Sequence, residues 1–142
     1  MAKKKHSRTQ GQSLVEFSVS ILAILFLLSG VVDFGRAFFT YMALKDAAQE
    51  GAAYGSAFPD DLAGIKKRVR ETSRYPVDLT DTNTVNVSVD YTGAVCEGSG
   101  NGVSVTVEYD FVILTPFIGP IVGSQNLPLS ATVTDIILRP PC

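Results

Sequence analysis

Few residues in this chain could do chemistry, and they do not converge. His6 is the only histidine, and it lies in a polar N-terminal stretch. The body of the chain therefore has no imidazole for a Ser-His-Asp or Cys-His arrangement. No group of His, Cys, Asp and Glu has metal-ligand spacing. Gly98-Ser99-Gly100-Asn101-Gly102 is glycine-rich, but a strand pattern follows it. A phosphate-cradling loop should open a helix, so this segment reads as hairpin-turn material. Carboxylates are plentiful, yet one small sheet without an evident cleft gives them no common site. The expectation is a protein that is not an enzyme, with no cofactor, no metal and no small-molecule substrate.

Two features remain. The first is Glu16, a carboxylate at the edge of an apolar run. A charge at the centre of a bilayer helix costs about 2.5–3.5 kcal/mol on insertion scales, less near the ends. Such a residue is a boundary glutamate reaching the interface, or it meets a partner ammonium at the same depth. A cut after Gly11 would create that ammonium on Gln12, on the same or a neighbouring subunit. The second is the pair Cys96 and Cys142, which are far apart and lack metal-type spacing. They are two unrelated thiols, or a disulfide if the domain lies outside the cytoplasm. Closing a loop of that length would stabilise the fold by roughly 4 kcal/mol on the chain-entropy model.

The elements that must position these residues follow from length, charge and periodicity. The 142 residues favour one modest domain. Hydrophobic residues make up 46%, high for a small soluble domain, and much of the excess lies between Phe17 and Val32. Lys3, Lys4, Lys5 and Arg8 crowd the start. From Gln12 onward 8 basic residues (12 less those four) face all 14 acidic ones, a net of −6. An acidic body argues against nucleic acid as a partner, because phosphate binding needs a basic footprint.

The uncharged run Phe17 to Val32 is slightly short for a span of about 20 residues. Starting at Gln12 makes it long enough and places Glu16 about one turn into the helix. Asp33 ends the run, with Arg36 on the same helical face. A cleaved secretory signal would want small residues where Asp33, Phe34 and Arg36 stand. A buried core helix would be amphipathic, whereas Ile21 to Leu28 is apolar nearly all round. A membrane span fits better, and the basic flank predicts a cytoplasmic N-terminus and an exported body. The expected organisation is a basic cytoplasmic leader over 1–11, a transmembrane helix over 12–33 and an extracytoplasmic domain over 34–142.

The helix pattern continues to Phe58-Pro59, so residues 12 to 57 could form one helix of roughly 70 Å at about 1.5 Å per residue. Ala43, Ala47, Gly51 and Gly55 form a ladder of small residues at four-residue spacing, flanked by Ala48 and Ala52. Such a ladder lets the protein's own sheet, or a neighbouring subunit's helix, approach the backbone closely. Asp60 and Asp61 open a second helix, Leu62 to Thr72, whose basic residues suit the helix dipole. Three strand patterns follow, around Val85–Tyr91, Val103–Phe111 and Leu127–Val133, with a fourth conceivable at Ile136 to Arg139. Their two-residue alternation marks a half-buried antiparallel sheet. Leu114 to Gly123 is apolar but broken by Pro116, Gly119 and Pro120. It reads as a loop or short turn at the membrane-facing end. The fold class is α+β: a transmembrane helix continuing into a long helix that covers a sheet of three to four strands.

A basic leader, a glycine, four residues, then glutamate, an aromatic and an apolar span resembles a type IV pilin-like prepilin. Here it reads Gly11-Gln12-Ser13-Leu14-Val15-Glu16-Phe17. The particular resemblance is to TadE-like proteins, pseudopilins of the tight-adherence (Flp) pilus machinery. Ala47-Ala48-Gln49-Glu50-Gly51-Ala52-Ala53-Tyr54 is similar to that family's Ala-Ala-Arg-Glu-Gly-Ala-Arg-Tyr stretch, with Gln49 and Ala53 where arginines are common. The Val105, Val107, Tyr109 pattern and the apolar stretch with Pro116 and Gly119 also fit. The resemblance implies cleavage by a prepilin peptidase at Gly11–Gln12, and Glu16 neutralising an adjacent N-terminus. It implies partners among other pilin or pseudopilin subunits and Tad assembly proteins, in a cell membrane crossed once. The alternatives are an uncleaved membrane-anchored binding or adhesion module, and a minor pseudopilin of a related secretion system.

Overall fold

The structure is a computed structural model that describes residues 9–93, 101–115 and 118–138. Helix α1 runs unbroken over Thr9–Ala57 (49 residues), about 74 Å at 1.5 Å per residue. The expected first residue, Gln12, lies inside it, and it stops at the residue before Phe58-Pro59. Pro59 cannot donate the next helical hydrogen bond, and Phe58 N–H closes the last turn on Tyr54 O at 3.0 Å. Helix α2 covers Leu62–Glu71 with Asp61 as N-cap and Thr72 as C-cap.

Strands β1 (Val85–Thr92), β2 (Gly102–Val112) and β3 (Asn126–Ile136) form one antiparallel sheet in the order β1-β2-β3. The register sets Val87 opposite Val107 and Val105 opposite Val133. One face of the sheet is therefore apolar and packs on α1. The other is polar, with Thr106 and Thr132 hydroxyls hydrogen-bonded at 2.9 Å and Asn86 donating to Glu108 at 3.1 Å. A sheet with one wet face needs only one covering layer, and α1 supplies it.

The core sits between the upper half of α1, α2 and the sheet. Leu44, Ile65, Val69, Leu79, Val103, Val105 and Val107 are fully buried. Each such side chain contributes about 1.5–3 kcal/mol by leaving water.

The three strands fall within the expected three to four, and the structure refines two details. Ile136 is the last residue of β3, and no fourth strand follows among the described residues. Ile137 N–H instead bonds Asn101 O, and Leu138 N–H bonds Ser56 O at 2.9 Å, which draws the chain off the sheet toward the end of α1. The Leu114–Gly123 stretch also holds a short helix, α3 (Ile118–Val122), rather than loop alone. Its turn closes by Gly123 N–H to Gly119 O at 2.8 Å, with Gly123 at φ 89°, a conformation that favours glycine. Cys96, Cys142, His6, the leader lysines and Arg139 lie outside the described residues.

Candidate functional site

The sequence singled out four places along α1, and the structure treats each differently. At the start, Gly11, Gln12 and Glu16 lie within the helix, and all three are exposed. The Gly11–Gln12 peptide is thus helical in this form of the chain. Ser20 Oγ donates to Glu16 O at 2.8 Å, and Ser18 Oγ to Leu14 O at 2.8 Å, so these two hydroxyls are satisfied within the helix. That is what a helix in an apolar medium requires.

Above it, the described residues hold one helix long and apolar enough to cross a membrane. Its large side chains point outward: Leu22, Leu25, Leu27 and Phe34 are all more than half exposed.

The small-residue ladder lies higher still and is packed within the chain. Ala47, Gly51 and Gly55 are buried, and Ala43 is half-buried. A Cβ on Gly51 would come within 2.5 Å of Val69 Cγ2 and 3.3 Å of Val105 Cγ1. On Gly55 it would meet Ile65 Cδ1 and Val103 Cγ2 at 3.1 Å. The helix backbone approaches α2 and β2 so closely that a side chain at Gly51 would have to displace Val69, and one at Gly55 would press on Ile65 and Val103. A neighbouring subunit's helix would have to pack on another part of α1.

The Ala47 to Tyr54 stretch gains a structural account. Ala47, Ala48, Gly51 and Ala52 make its buried face. Glu50 and Tyr54 face α2. Tyr54 hydroxyl donates to Asp61 Oδ2 at 2.9 Å, while Gly64 N–H donates to Asp61 Oδ1 at 2.9 Å. The Arg68 guanidinium lies 5.4 Å from the Tyr54 ring and 3.5 Å from Glu50. The backbone hydrogen bond from Gly64, joined by that from Tyr54, holds the Asp61 carboxyl below its ordinary 3.8. Asp61 raises the Tyr54 phenol above its ordinary 10.0 by the same hydrogen bond. Gln49 and Ala53 are exposed and line an open groove with Asp46, Glu50 and Arg68.

One position that joins distant parts of the fold went unrecognised in the sequence. Asp33 was legible as the end of the apolar run, but its side chain is buried. Its carboxylate accepts from Thr115 N–H at 2.8 Å, Thr115 Oγ1 at 2.5 Å, Leu114 N–H at 3.3 Å and Arg36 at 3.1 Å. Arg36 also stacks over the Phe111 ring at 5.1 Å. Two residues one turn apart on α1 thereby clasp the far end of β2. The only advance signal was the Asp33/Arg36 spacing, which says nothing of a partner 82 positions away.

Among the described residues no group of three His, Cys, Asp or Glu side chains could hold a metal ion. Along α1 and its contacts the arrangement anchors and packs.

Among curated proteins and among solved structures, nothing matches the chain. Residues 11–53 match the family model described as TadE-like protein, so the segment from the glycine before the span to the second half of the small-residue ladder is TadE-like.

Proposed function

We propose that the chain is a structural or assembly component, a minor pilin or pseudopilin, of a Tad/Flp-type pilus, processed by a prepilin peptidase after Gly11. The observation that carries this reading is the extent of the TadE-like match. It begins on Gly11 and runs through the whole candidate span into the part of α1 that carries the folded domain. One unbroken helix joining membrane to domain suits a subunit whose span is also its assembly element.

The mechanism asks three things of this chain. Gly11 and Gln12 must leave the helix to enter a protease cleft as extended chain. Glycine weakens a helix by roughly 1 kcal/mol relative to alanine, which eases local unwinding there. Cleavage then places an ammonium on Gln12, one turn from Glu16, which is the spacing at which side chains on a helix meet. Neutralising Glu16 on a neighbouring subunit would set the axial register of a helical assembly. The domain built on the upper half of α1 would face outward and contact other pilus proteins. The basic leader would hold the N-terminus in the cytoplasm.

A membrane-anchored binding or adhesion module that is never cut is the second reading, since the anchor itself does not depend on processing. N-terminal sequencing and intact mass of the protein from its host's membranes separate the two. A chain beginning at Gln12 supports processing. A chain retaining Met1, in cells with an active prepilin peptidase, overturns the pseudopilin role and leaves the uncleaved anchor.

A further inference from the structure

The uncharged run on α1 ends at Val32. From Phe17 it covers only about 24 Å, short of a hydrocarbon core of about 30 Å. The residue that should end the apolar surface is Asp33. Its carboxylate, however, is turned inward and fully occupied by Thr115, Leu114 and Arg36. Beyond it the one charge before Phe39 is Arg36, 43% exposed but paired with Asp33 and stacked on Phe111, and the aromatic side chains around it face outward. Phe34 is 74% exposed and Phe39 65%. Measured to Phe39, the apolar surface is about 35 Å long, enough to cross.

The β2–β3 connection lies beside this boundary. It is much longer than the two to five residues a hairpin turn needs. Its start is held at the depth of Asp33 by the clasp, and Ile113 N–H bonds Gln125 O at 2.9 Å across its base. Ile118 lies against Gly30, where an added Cβ would meet Ile118 Cδ1 at 3.8 Å. Leu114, Ile121 and Val122 then point outward, 66%, 77% and 55% exposed. Between the connection and α1 runs an open groove of roughly 770 Å³, lined by Leu22, Leu25, Phe26 and Val32 on one side and Leu114 on the other. Its wall is the surface of the candidate span itself, so groove, connection and span form one continuous apolar face.

We propose that the described parts of the β2–β3 connection, Ile113–Thr115 and Ile118–Gln125, form a second membrane-contacting element: an apolar shelf, clasped to α1 by Asp33, that sits in the lipid leaflet on the domain's side. Lipid acyl chains fill the groove. The shelf moves the membrane boundary up α1 from Asp33 to about Phe39 and fixes the height and tilt of the domain above the bilayer. This rests on the reading of α1 as a membrane span.

The chain has no tryptophan, so single introduced indoles report on depth. The full chain would be reconstituted at high lipid excess in phosphatidylcholine vesicles, with and without bromine-labelled acyl chains. Ile121→Trp and Leu114→Trp test the shelf independently of each other. Leu22→Trp reports the span, and Phe58→Trp, beyond the far end of α1, reports water. The expected result is severalfold bromolipid quenching of the Ile121→Trp and Leu114→Trp indoles, comparable to Leu22→Trp, with Phe58→Trp unaffected. Shelf indoles open to aqueous iodide while Leu22→Trp is quenched by lipid would overturn the shelf and leave the span. Shelf indoles reached by neither quencher would mean that a second copy covers the face, which also overturns it. An unquenched Leu22→Trp would overturn the span reading, and the shelf with it.

Discussion

The two halves of α1 have the same backbone and opposite side-chain logic. Around Ala47–Gly55 the residues touching the rest of the protein are small, and the bulk is supplied by Val69, Val103 and Val105 from α2 and β2. Around Leu14–Phe39 the bulk is on the helix itself and faces outward. Small residues let structured neighbours come close. Large ones suit a fluid partner that conforms to any shape, as lipid does. One helix thus carries two kinds of surface, and the outward-facing bulk continues past the Asp33 clasp to Phe39.

The contrast can be broken from either side. The largest effect should come from adding bulk to the packed half. Gly51→Leu drives a side chain into Val69 and Val105 and should lower domain stability by about 3 kcal/mol, the upper part of the range for overpacking. Thermal unfolding in detergent, followed by circular dichroism, would read it. An unchanged midpoint would mean that α1 and the sheet are not packed as described. Next comes the boundary. Asp33→Ala leaves Thr115 and Leu114 donors without their acceptor and Arg36 without its anion. A loss of about 2 kcal/mol is expected, with faster amide exchange at Thr115.

A smaller effect lies at the α1–α2 corner. Asp61→Ala removes the N-cap of α2 and the acceptor of Tyr54, for about 1 kcal/mol. The same carboxyl has a pH signature. Its folded pKa is depressed below 3.8, so its contribution is fully present above that value and is lost as pH falls through the lower folded value. Asp78 and Asp81 are depressed too, by hydrogen bonds from Thr80 and from Asn83 and Thr84. Acid titration of the wild-type domain should show weakening only below the ordinary carboxylate range, and Asp61→Ala should flatten part of that slope. The smallest effect should come from removing bulk in the exposed half. Leu25→Ala is expected to leave domain stability within about 0.5 kcal/mol. A loss as large as that of Gly51→Leu would show that the lower half packs on protein rather than lipid.

Much of this molecule was legible because its signals are local. The apolar run, the helix ending at Phe58-Pro59, the Asp61 start of α2 and the alternation in β1, β2 and β3 each depend on a few neighbouring residues. The ladder at Ala43, Ala47, Gly51 and Gly55 was legible as a site of close approach, but not in its partner. Four-residue spacing looks the same whether a sheet or another helix comes near. The Leu114–Gly123 stretch was readable as irregular, since proline and glycine interrupt it, while the short α3 within it was not.

By itself, the sequence determined a single long helix with a lipid-compatible lower half, an antiparallel sheet with one polar face, and a glycine–glutamate spacing at the helix start. Periods of 3.6 and 2 residues are properties of the chain alone. Only the tertiary structure decided that the ladder closes on the protein's own Val69, Val103 and Val105. It also decided that Asp33 turns inward to Thr115 and brings the β2–β3 connection beside the span. Those outcomes join residues tens of positions apart in the chain, and whether a carboxylate ends an apolar surface or hides beneath it depends on the donors that folding delivers to it.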